Sequence, residues 1–345
     1  MEHTRVFLRA TGTLFFASLL AAGVGYLLKM VLARNLSVTE FGLFSAVFAF
    51  VSLFVGFSDL GMGTAAVKYI AQFNVEKKPQ DTKNALLYLF IFQLAFLALV
   101  FPALALLTPF LSASYFKDPA AAGVLFVLLV AFSFSLFEAF FATAFHGFKR
   151  MAFFSTINIL EPTLVLAGVL VLFPLGFHVL APAYAYLFAF AFAPLLYLLM
   201  FRKTFPAFFQ IPARWDPVLA RQMFFAGMSN LVGGVGAVLL TSSGTLLLTY
   251  FRPLADVAIY SVAISVASIM RQIPKVLSLM LLPVSSELYT TKDPQLGSGI
   301  MRLYTYTFLV SIPLVFSMMF FARIIITILF GSTYALAELP LQILA

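Results

Sequence analysis

Long apolar runs separated by short polar segments dominate the chain. A helix needs about 20 apolar residues to cross the ~30 Å hydrocarbon core of a bilayer. Nine runs are long enough, at about 11–33, 42–66, 84–110, 120–145, 152–173, 179–201, 222–250, 257–286 and 303–326. A tenth opens near Ala335 and reaches only Ala345. The pattern predicts an all-α integral membrane protein with nine spans and the start of a tenth.

Composition excludes a soluble fold. Of the 345 residues, 63% are hydrophobic and 10% are charged, whereas soluble domains have about 45–50% and 25%. The absence of cysteine excludes disulfides, thiolate metal sites and a cysteine nucleophile. His3, His146 and His178 lie too far apart in sequence to suggest a metal site. We expect no metal, no cofactor, no catalytic residue and no nucleic-acid partner.

The net charge of +8 is best explained by membrane orientation. With a cytoplasmic N-terminus, fourteen Lys and Arg residues fall in the inside segments, and only Arg34, Lys117, Arg252 and Arg323 fall outside. Positive residues accumulate on the cytoplasmic side of membrane proteins. We therefore expect a multi-pass protein of the cell (plasma) membrane with its N-terminus inside.

Two internal matches indicate a duplication. Residues 40–45 match 256–261 at an offset of 216, and residues 108–115 match 327–334 at an offset of 219. Six spans separate the matched positions, an even number, which gives the repeats parallel topology. This predicts two parallel-repeat helical bundles around a central cleft.

The bundles divide the chain into three parts. Residues 1–203 form the first, six-helix bundle, 204–221 form an interfacial linker, and 222–345 form the second bundle. The linker carries the only tryptophan, Trp215, among prolines, phenylalanines and arginines, a mixture suited to the headgroup region. We expect the second bundle to be truncated, with three full helices and the start of a fourth. The repeat predicts roughly 80 further residues in a longer protein.

The eighth span carries a polar stripe. Its members recur every three or four residues and so share one helical face: Ser261, Ser265, Ser268, Arg271, Lys275 and Ser278. A charge at the bilayer centre costs about 2.5–3.5 kcal/mol, so this face should line water or protein. Arg271, Lys275 and Ser268 are therefore candidate substrate-binding residues. Asn230, Thr241, Ser242, Ser243 and Thr245 are expected either to line the same cavity or to join helices, and Asn230 is a further candidate substrate-binding residue.

Four other charged residues lie within spans. Lys29 is close enough to a span end to extend toward the membrane surface, and it is also a candidate substrate ligand. The repeat places Asp59 opposite Lys275, where the two either form a salt bridge that closes the cleft or each extend to the interface. Glu161, followed by a proline, is a candidate ion-coupling site or hydrogen-bonds the backbone that the proline frees. Glu138 is a second coupling candidate.

Several motifs resemble a known family. Residues 34–42 (RNLSVTEFG), 58–61 (SDLG), 68–71 (KYIA), 329–334 (LFGSTY) and 340–344 (PLQIL) look like the polysaccharide transporter family. This is the O-antigen flippase branch of the multidrug/oligosaccharidyl-lipid/polysaccharide exporter (MOP) superfamily. The resemblance implies twelve to fourteen helices in two bundles, and outward movement of lipid-linked oligosaccharides by alternating access.

The expected partners are membrane lipids, a lipid-linked sugar such as a polyprenyl diphosphate-sugar, and a coupling proton or Na+. Two alternatives remain open. A drug or organic-cation antiporter of the same superfamily would favour a carboxylate-rich cleft. An integral membrane glycosyltransferase or polymerase would need acidic catalytic residues or a sizeable loop, and the longest outside loop, near 111–119, is short.

Overall fold

The computed structural model describes residues 2–59, 61–270 and 296–344, and within these ranges all side chains except those of 2–15, 232, 235, 237, 296–300 and 302–304. The described residues form helices joined by short turns, without strands. The helices are α1 (Glu2–Asn35), α2 (Val38–Phe57), α3 (Met62–Val75), α4 (Pro79–Phe110), α5 (Ala120–Gly147), α6 (Met151–Leu172), α7 (Leu180–Thr204), α8 (Pro217–Phe251), α9 (described over Leu254–Met270), α10 (Leu296–Phe320), α11 (Ala322–Phe330) and α12 (Glu338–Leu344).

The helix lengths confirm the prediction of an all-α membrane protein. Within the described ranges, six helices are long and apolar enough to cross a bilayer, and the pair α10–α11 makes a seventh if it is one bent span. Large apolar side chains cover their outer surfaces; Leu106, Leu240 and Phe320 are each more than 80% exposed. Such a surface is compatible with lipid and not with water.

The second span is broken, contrary to the continuous helix predicted over 42–66. α2 ends at Phe57 and α3 begins at Met62, because Gly61 adopts a left-handed φ of 72°. The Asp59 carboxylate accepts hydrogen bonds from the backbone N–H of Gly61 at 2.8 Å and of Gly63 at 3.2 Å. Asp59 thus satisfies N–H groups at the start of α3 that have no partner within the helix.

Two further boundaries differ from prediction. The loop expected at 111–119 is mostly helical, since a π-helical segment, Leu111–Phe116, continues α4 and is followed by only three residues before α5. Ser112 Oγ closes that turn by donating to the Asp118 carbonyl at 2.8 Å. The ninth span, predicted over 303–326, bends by 74° between α10 and α11.

The segment between α7 and α8 lies against α4. It contains a short 3-10 helix, Pro206–Phe209. Lys83 Nζ donates to the Phe208 carbonyl at 2.7 Å and also to the Ile211 carbonyl. Asp216 then begins α8 by accepting hydrogen bonds from the N–H of Val218 and Leu219. These contacts fix the direction in which α8 leaves the linker.

Candidate functional site: a central polar cavity

A cavity of about 660 Å³ lies between the first and the second half of the chain. Its walls come from α1, α2, α8 and α9, with Pro162 of α6 and Tyr186 of α7. The end of the helices at which α1 passes into α2 is called here the α1–α2 end; the turns before α5 and between α8 and α9 lie at the same end. The cavity extends from near this end toward the middle of the helices.

Lys29 makes a polar contact between the two halves of the chain. Its Nζ donates to Ser265 Oγ at 2.9 Å, across 236 residues of sequence. Ser265 Oγ in turn donates to the Ser261 carbonyl at 2.6 Å, and Ser268 Oγ donates to the Ser265 carbonyl at 2.7 Å. The expectation that Lys29 extends to the membrane surface is therefore wrong, because Ser265 offers it an acceptor inside the cavity wall.

The cavity wall is rich in hydroxyl groups and carries positive charge. Lys29 is the one charged side chain among the described lining residues, and no carboxylate is among them. The hydroxyl-bearing members of the wall are Tyr26, Ser45, Ser52, Tyr186, Thr241, Ser242, Thr245, Ser261, Ser265 and Ser268. Such a wall offers hydrogen-bond donors and one cation to an anionic or polyhydroxylated ligand.

Serines that are equivalent in the repeat line one cavity. Ser45 and Ser52 of α2 correspond to Ser261 and Ser268 of α9 at the offset of 216, and all four line the wall. Helix α2 and the described part of α9 therefore present equivalent faces to the same space.

Not every predicted residue lies there. Asn230 is absent from the described lining and exposed, since it sits on α8 beside Gly61, eleven residues or ~17 Å from Thr241. Ser243 is also absent from that lining, whereas Thr241, Ser242 and Thr245 belong to it. Asp59 is not part of it and contacts the start of α3. Arg271, Lys275 and Ser278 lie outside the described residues.

Two acidic residues lie behind the cavity wall. Glu138 of α5 and Glu161 of α6 are close enough to interact electrostatically with each other and with Tyr197 of α7. Glu161 also interacts with Tyr186, which lines the cavity. Glu138 Oε2 is buried without a hydrogen-bond partner in the described part of the chain. The described residues likewise show no hydrogen bond between the Glu161 side chain and the backbone near Pro162. The neighbouring Thr163 Oγ1 donates to the Ile159 carbonyl, which is not the carbonyl that the proline leaves free.

Contacts between the halves close the α1–α2 end. Arg34 donates from Nε to the Leu329 carbonyl at 3.1 Å and from Nη2 to the Ile328 carbonyl at 2.6 Å. Tyr334 Oη donates to the Ala33 carbonyl at 3.2 Å and its ring stands edge-on to Phe41 at 5.9 Å. Two sequence motifs, 34–42 and 329–334, thus meet in space above the cavity.

Sequence reasoning did not identify Tyr26 and Tyr186 as cavity residues. Each is an amphipathic residue in a largely apolar stretch, a weak signal without knowledge of the helix's orientation. Tyr26 packs edge-on against Phe330 at 5.8 Å, and Tyr186 stacks among Phe44, Phe48 and Phe132. Their aromatic contacts orient them, and the sequence does not reveal those contacts.

Comparison with known proteins identifies the family. The profile of the polysaccharide biosynthesis protein family matches residues 7–289, well over half of the chain. The chain belongs to this family. An uncharacterized membrane protein of Methanocaldococcus jannaschii is 26% identical over 340 residues, which cover 94% of this chain and 67% of that protein.

Solved structures show the same fold. An inward-facing multidrug resistance MATE family transporter of the MOP superfamily matches with a TM-score of 0.68 at 15% identity, covering 92% of this chain and 76% of that one. The MATE multidrug transporter DinF-BH matches with a TM-score of 0.64 at 14% identity, covering 94% and 74%. The family member described here is a multi-pass membrane protein that shares the fold of these two transporters.

Proposed function

We propose that the chain moves a lipid-linked oligosaccharide, a polyprenyl diphosphate-sugar, from the inner to the outer leaflet by alternating access. The observation that carries this proposal is the chemistry of the central cavity, with Lys29, many hydroxyl groups and no carboxylate among its described lining residues. The hydroxyl groups of the wall can hydrogen-bond to a sugar, and the Lys29 ammonium can form charge-assisted hydrogen bonds with a diphosphate. A drug or organic cation would be better served by acidic side chains.

Transport of this substrate requires shelter for an anion. Moving an isolated charge into hydrocarbon costs tens of kcal/mol in the idealised limit. A polar cavity with a cation lowers that cost for the diphosphate, while the lipid tail remains in the bilayer. Arg271 and Lys275 follow Ser268 on the sequence stripe and are proposed to extend the cationic surface; a guanidinium can contact phosphate with two hydrogen bonds. Asn230 remains a weaker candidate substrate-binding residue, because it lies on α8 outside the described lining of the cavity.

Orientation and domain division belong to the same proposal. The positive-inside rule places the N-terminus in the cytoplasm, so the closed α1–α2 end faces outward. Residues 1–203 and 222–345 are proposed to act as the two moving bundles, with 204–221 as their interfacial connection. A substrate would then enter from the inner leaflet, and separation of the halves at the α1–α2 end would release it.

We also propose that Glu161 and Glu138 couple transport to a proton or Na+ gradient. Two interacting carboxyl groups bind and release protons as a pair. Tyr186 connects this pair to the cavity, because it lines the cavity and interacts with Glu161.

The test is translocation of a labelled lipid-linked oligosaccharide in proteoliposomes. We expect Lys29→Gln to lower the rate at least tenfold, a loss of about 1.4 kcal/mol of substrate stabilisation, and Lys29→Arg to restore most of it. Arg271→Ala and Arg271→Lys are compared in the same way. Lys68→Gln, which removes an exposed lysine of α3 outside the cavity, is the matched control. Unchanged translocation in Lys29→Gln, or transport of an organic cation in place of the sugar, would refute the proposal.

A further inference from the structure

A second cavity lies on the side of the first half, between α4, α5 and α7. It has a volume of about 460 Å³, and eight of its thirteen lining residues are phenylalanines. The remaining five are Leu, Ala and Pro, so its described wall is wholly apolar. We call it the aromatic groove. It shares no lining residue with the central cavity, and the transport proposal does not use it.

The aromatic groove opens sideways toward lipid. Leu195 is 61% exposed and Phe209 is 54% exposed, although both line the groove. Along α7 it runs from Ala191 to Phe201, ten residues or ~15 Å. This length is about half of a ~30 Å hydrocarbon core and therefore matches one leaflet.

Ring contacts and one lysine keep the groove in shape. Phe140 packs against Phe201 at 5.6 Å and against Phe208 at 6.1 Å. Lys83 Nζ lies 4.9 Å from the centre of the Phe208 ring while it donates to the carbonyl of the same residue. The groove wall is thus held from the linker side by contacts within the protein.

Positively charged side chains lie at one end of the aromatic groove. The Arg202 guanidinium lies 5.5 Å from the centre of the Phe209 ring, and both Arg202 and the adjacent Lys203 are exposed. A guanidinium over the groove rim can form paired hydrogen bonds with a phosphate. At the opposite end, toward Phe134, the described lining is apolar.

We infer that the aromatic groove binds an anionic phospholipid, with one acyl chain along the phenylalanines and the phosphate at Arg202. The apolar length accommodates the tail, and the cation at one end selects the headgroup charge. Cytoplasmic leaflets are rich in anionic lipid, which matches the end of α7 that the positive-inside rule assigns to the cytoplasm. The ligand is a membrane lipid that stays bound, distinct from the transported substrate.

The experiment uses the single tryptophan of the chain. Trp215→Phe removes the native signal, and Leu195→Trp places a reporter in the groove. Leu106→Trp, on an exposed face of α4, is the control reporter. Quenching is measured in bilayers that mix brominated phosphatidylglycerol with phosphatidylcholine. We expect a several-fold preference for phosphatidylglycerol at Leu195→Trp and almost none at Leu106→Trp.

Three variants complete the test. Arg202→Gln should lower the preference at the groove to the control value, whereas Arg214→Gln, which removes another exposed arginine, should not. Ala191→Phe should fill the groove and reduce quenching by either lipid. Equal preference at both reporters, no effect of Arg202→Gln, or displacement of phosphatidylglycerol by polyprenyl phosphate would overturn the inference. None of these outcomes depends on sugar translocation, so they are separable from the proposed function.

Discussion

Tyr115 and Tyr334 make the same kind of hydrogen bond from opposite halves of the chain. Tyr115 Oη donates to the Leu246 carbonyl of α8 at 2.8 Å, and Tyr334 Oη donates to the Ala33 carbonyl of α1 at 3.2 Å. The two tyrosines are equivalent in the sequence repeat at an offset of 219, and six spans likewise separate α1 from α8. Each half therefore holds the first helix of the other, a reciprocity that two-fold related units produce.

We predict that Tyr115→Phe and Tyr334→Phe each favour opening of the α1–α2 end. Each change removes one hydrogen bond between the halves, worth about 1 kcal/mol, or about fivefold in the ratio of closed to open states. Because the chain lacks cysteine, spin labels can be attached at Thr39→Cys and Phe251→Cys without first replacing native cysteines. Double electron–electron resonance between the two labels should show a larger population at long distances in each tyrosine variant than in the unsubstituted protein. Tyr184→Phe, at a tyrosine for which the described residues show no hydrogen bond, should leave the distances unchanged; equal effects of all three would contradict the prediction.

Gly42 gives a second prediction at the same end. A Cβ on Gly42 would overlap the Leu254 carbonyl of α9 and would lie 3.3 Å from the Ala258 nitrogen. Gly42→Ala should therefore separate α2 from α9 and shift the same distance distribution to longer values. Gly123→Ala, also in the first turns of a helix, would meet only Leu180 at an ordinary 3.6 Å and should gain helix stability. Identical distances in Gly42→Ala and the unsubstituted protein would show that this contact does not hold the end closed.

Arg34 should stabilise the closed end through α11. Its two hydrogen bonds go to carbonyls in the last turn of that helix, where a cation also interacts favourably with the helix dipole. Arg34→Ala should lower the thermal unfolding midpoint, and Arg34→Lys should recover part of the loss. The control is Arg323→Ala in the first turn of α11, where the dipole disfavours positive charge. An equal decrease in both would mean that the loss comes from net charge alone.

Substitutions of Asp59 can distinguish a structural role of this residue from a role in gating or ion coupling. Asp59→Ala should lower stability by about 1 kcal/mol, because the N–H groups of Gly61 and Gly63 lose their acceptor. Asp59→Ser keeps an acceptor without charge and should restore both stability and sugar translocation. If Asp59→Ser were stable but inactive, the carboxylate itself would be required for gating or coupling.

Glu161 is the residue whose neutralisation should uncouple transport. Glu161→Gln keeps the shape of the side chain, so translocation down a substrate gradient should persist, while stimulation by an imposed pH or Na+ gradient should disappear. Glu138→Gln should weaken the same stimulation, because the two carboxylates interact. Glu76→Gln, at an exposed position, serves as the control. Full stimulation in Glu161→Gln would remove the coupling assignment.

The sequence predicted the long helices because bilayer thickness sets their length and leaves a clear apolar run. It did not predict where helices break. The turn at Asp59 and Gly61 carries recognisable cap and left-handed signals, yet the apolar residues on both sides resemble one continuous span. The bend between α10 and α11 has no proline at its apex, so packing rather than local chemistry determines it.

The serine stripe of the eighth span was predictable from helical spacing, and Ser261, Ser265 and Ser268 line the cavity. The partner of Lys29 was not predictable, because the choice between lipid surface and cavity depends on a helix 236 residues away in sequence. The polarity of Asn230 predicts a position at the cavity, but its distance along α8 places it elsewhere. Side-chain polarity identifies which residues need a partner, whereas the arrangement of helices decides which partner they meet.

The bend that carries α11 across to α1 has a mechanical consequence. α11 follows α10 in sequence, but Arg34 and Tyr334 tie its far end to the first helix of the other half. When the two halves separate, as the proposed function requires, α11 must either lose its contacts with α1 or pivot about the bend near Phe321. Under the proposed alternating access, contacts of α11 that are remote from the substrate then limit the transport rate, and substitutions confined to α11 change that rate without changing which substrate is bound.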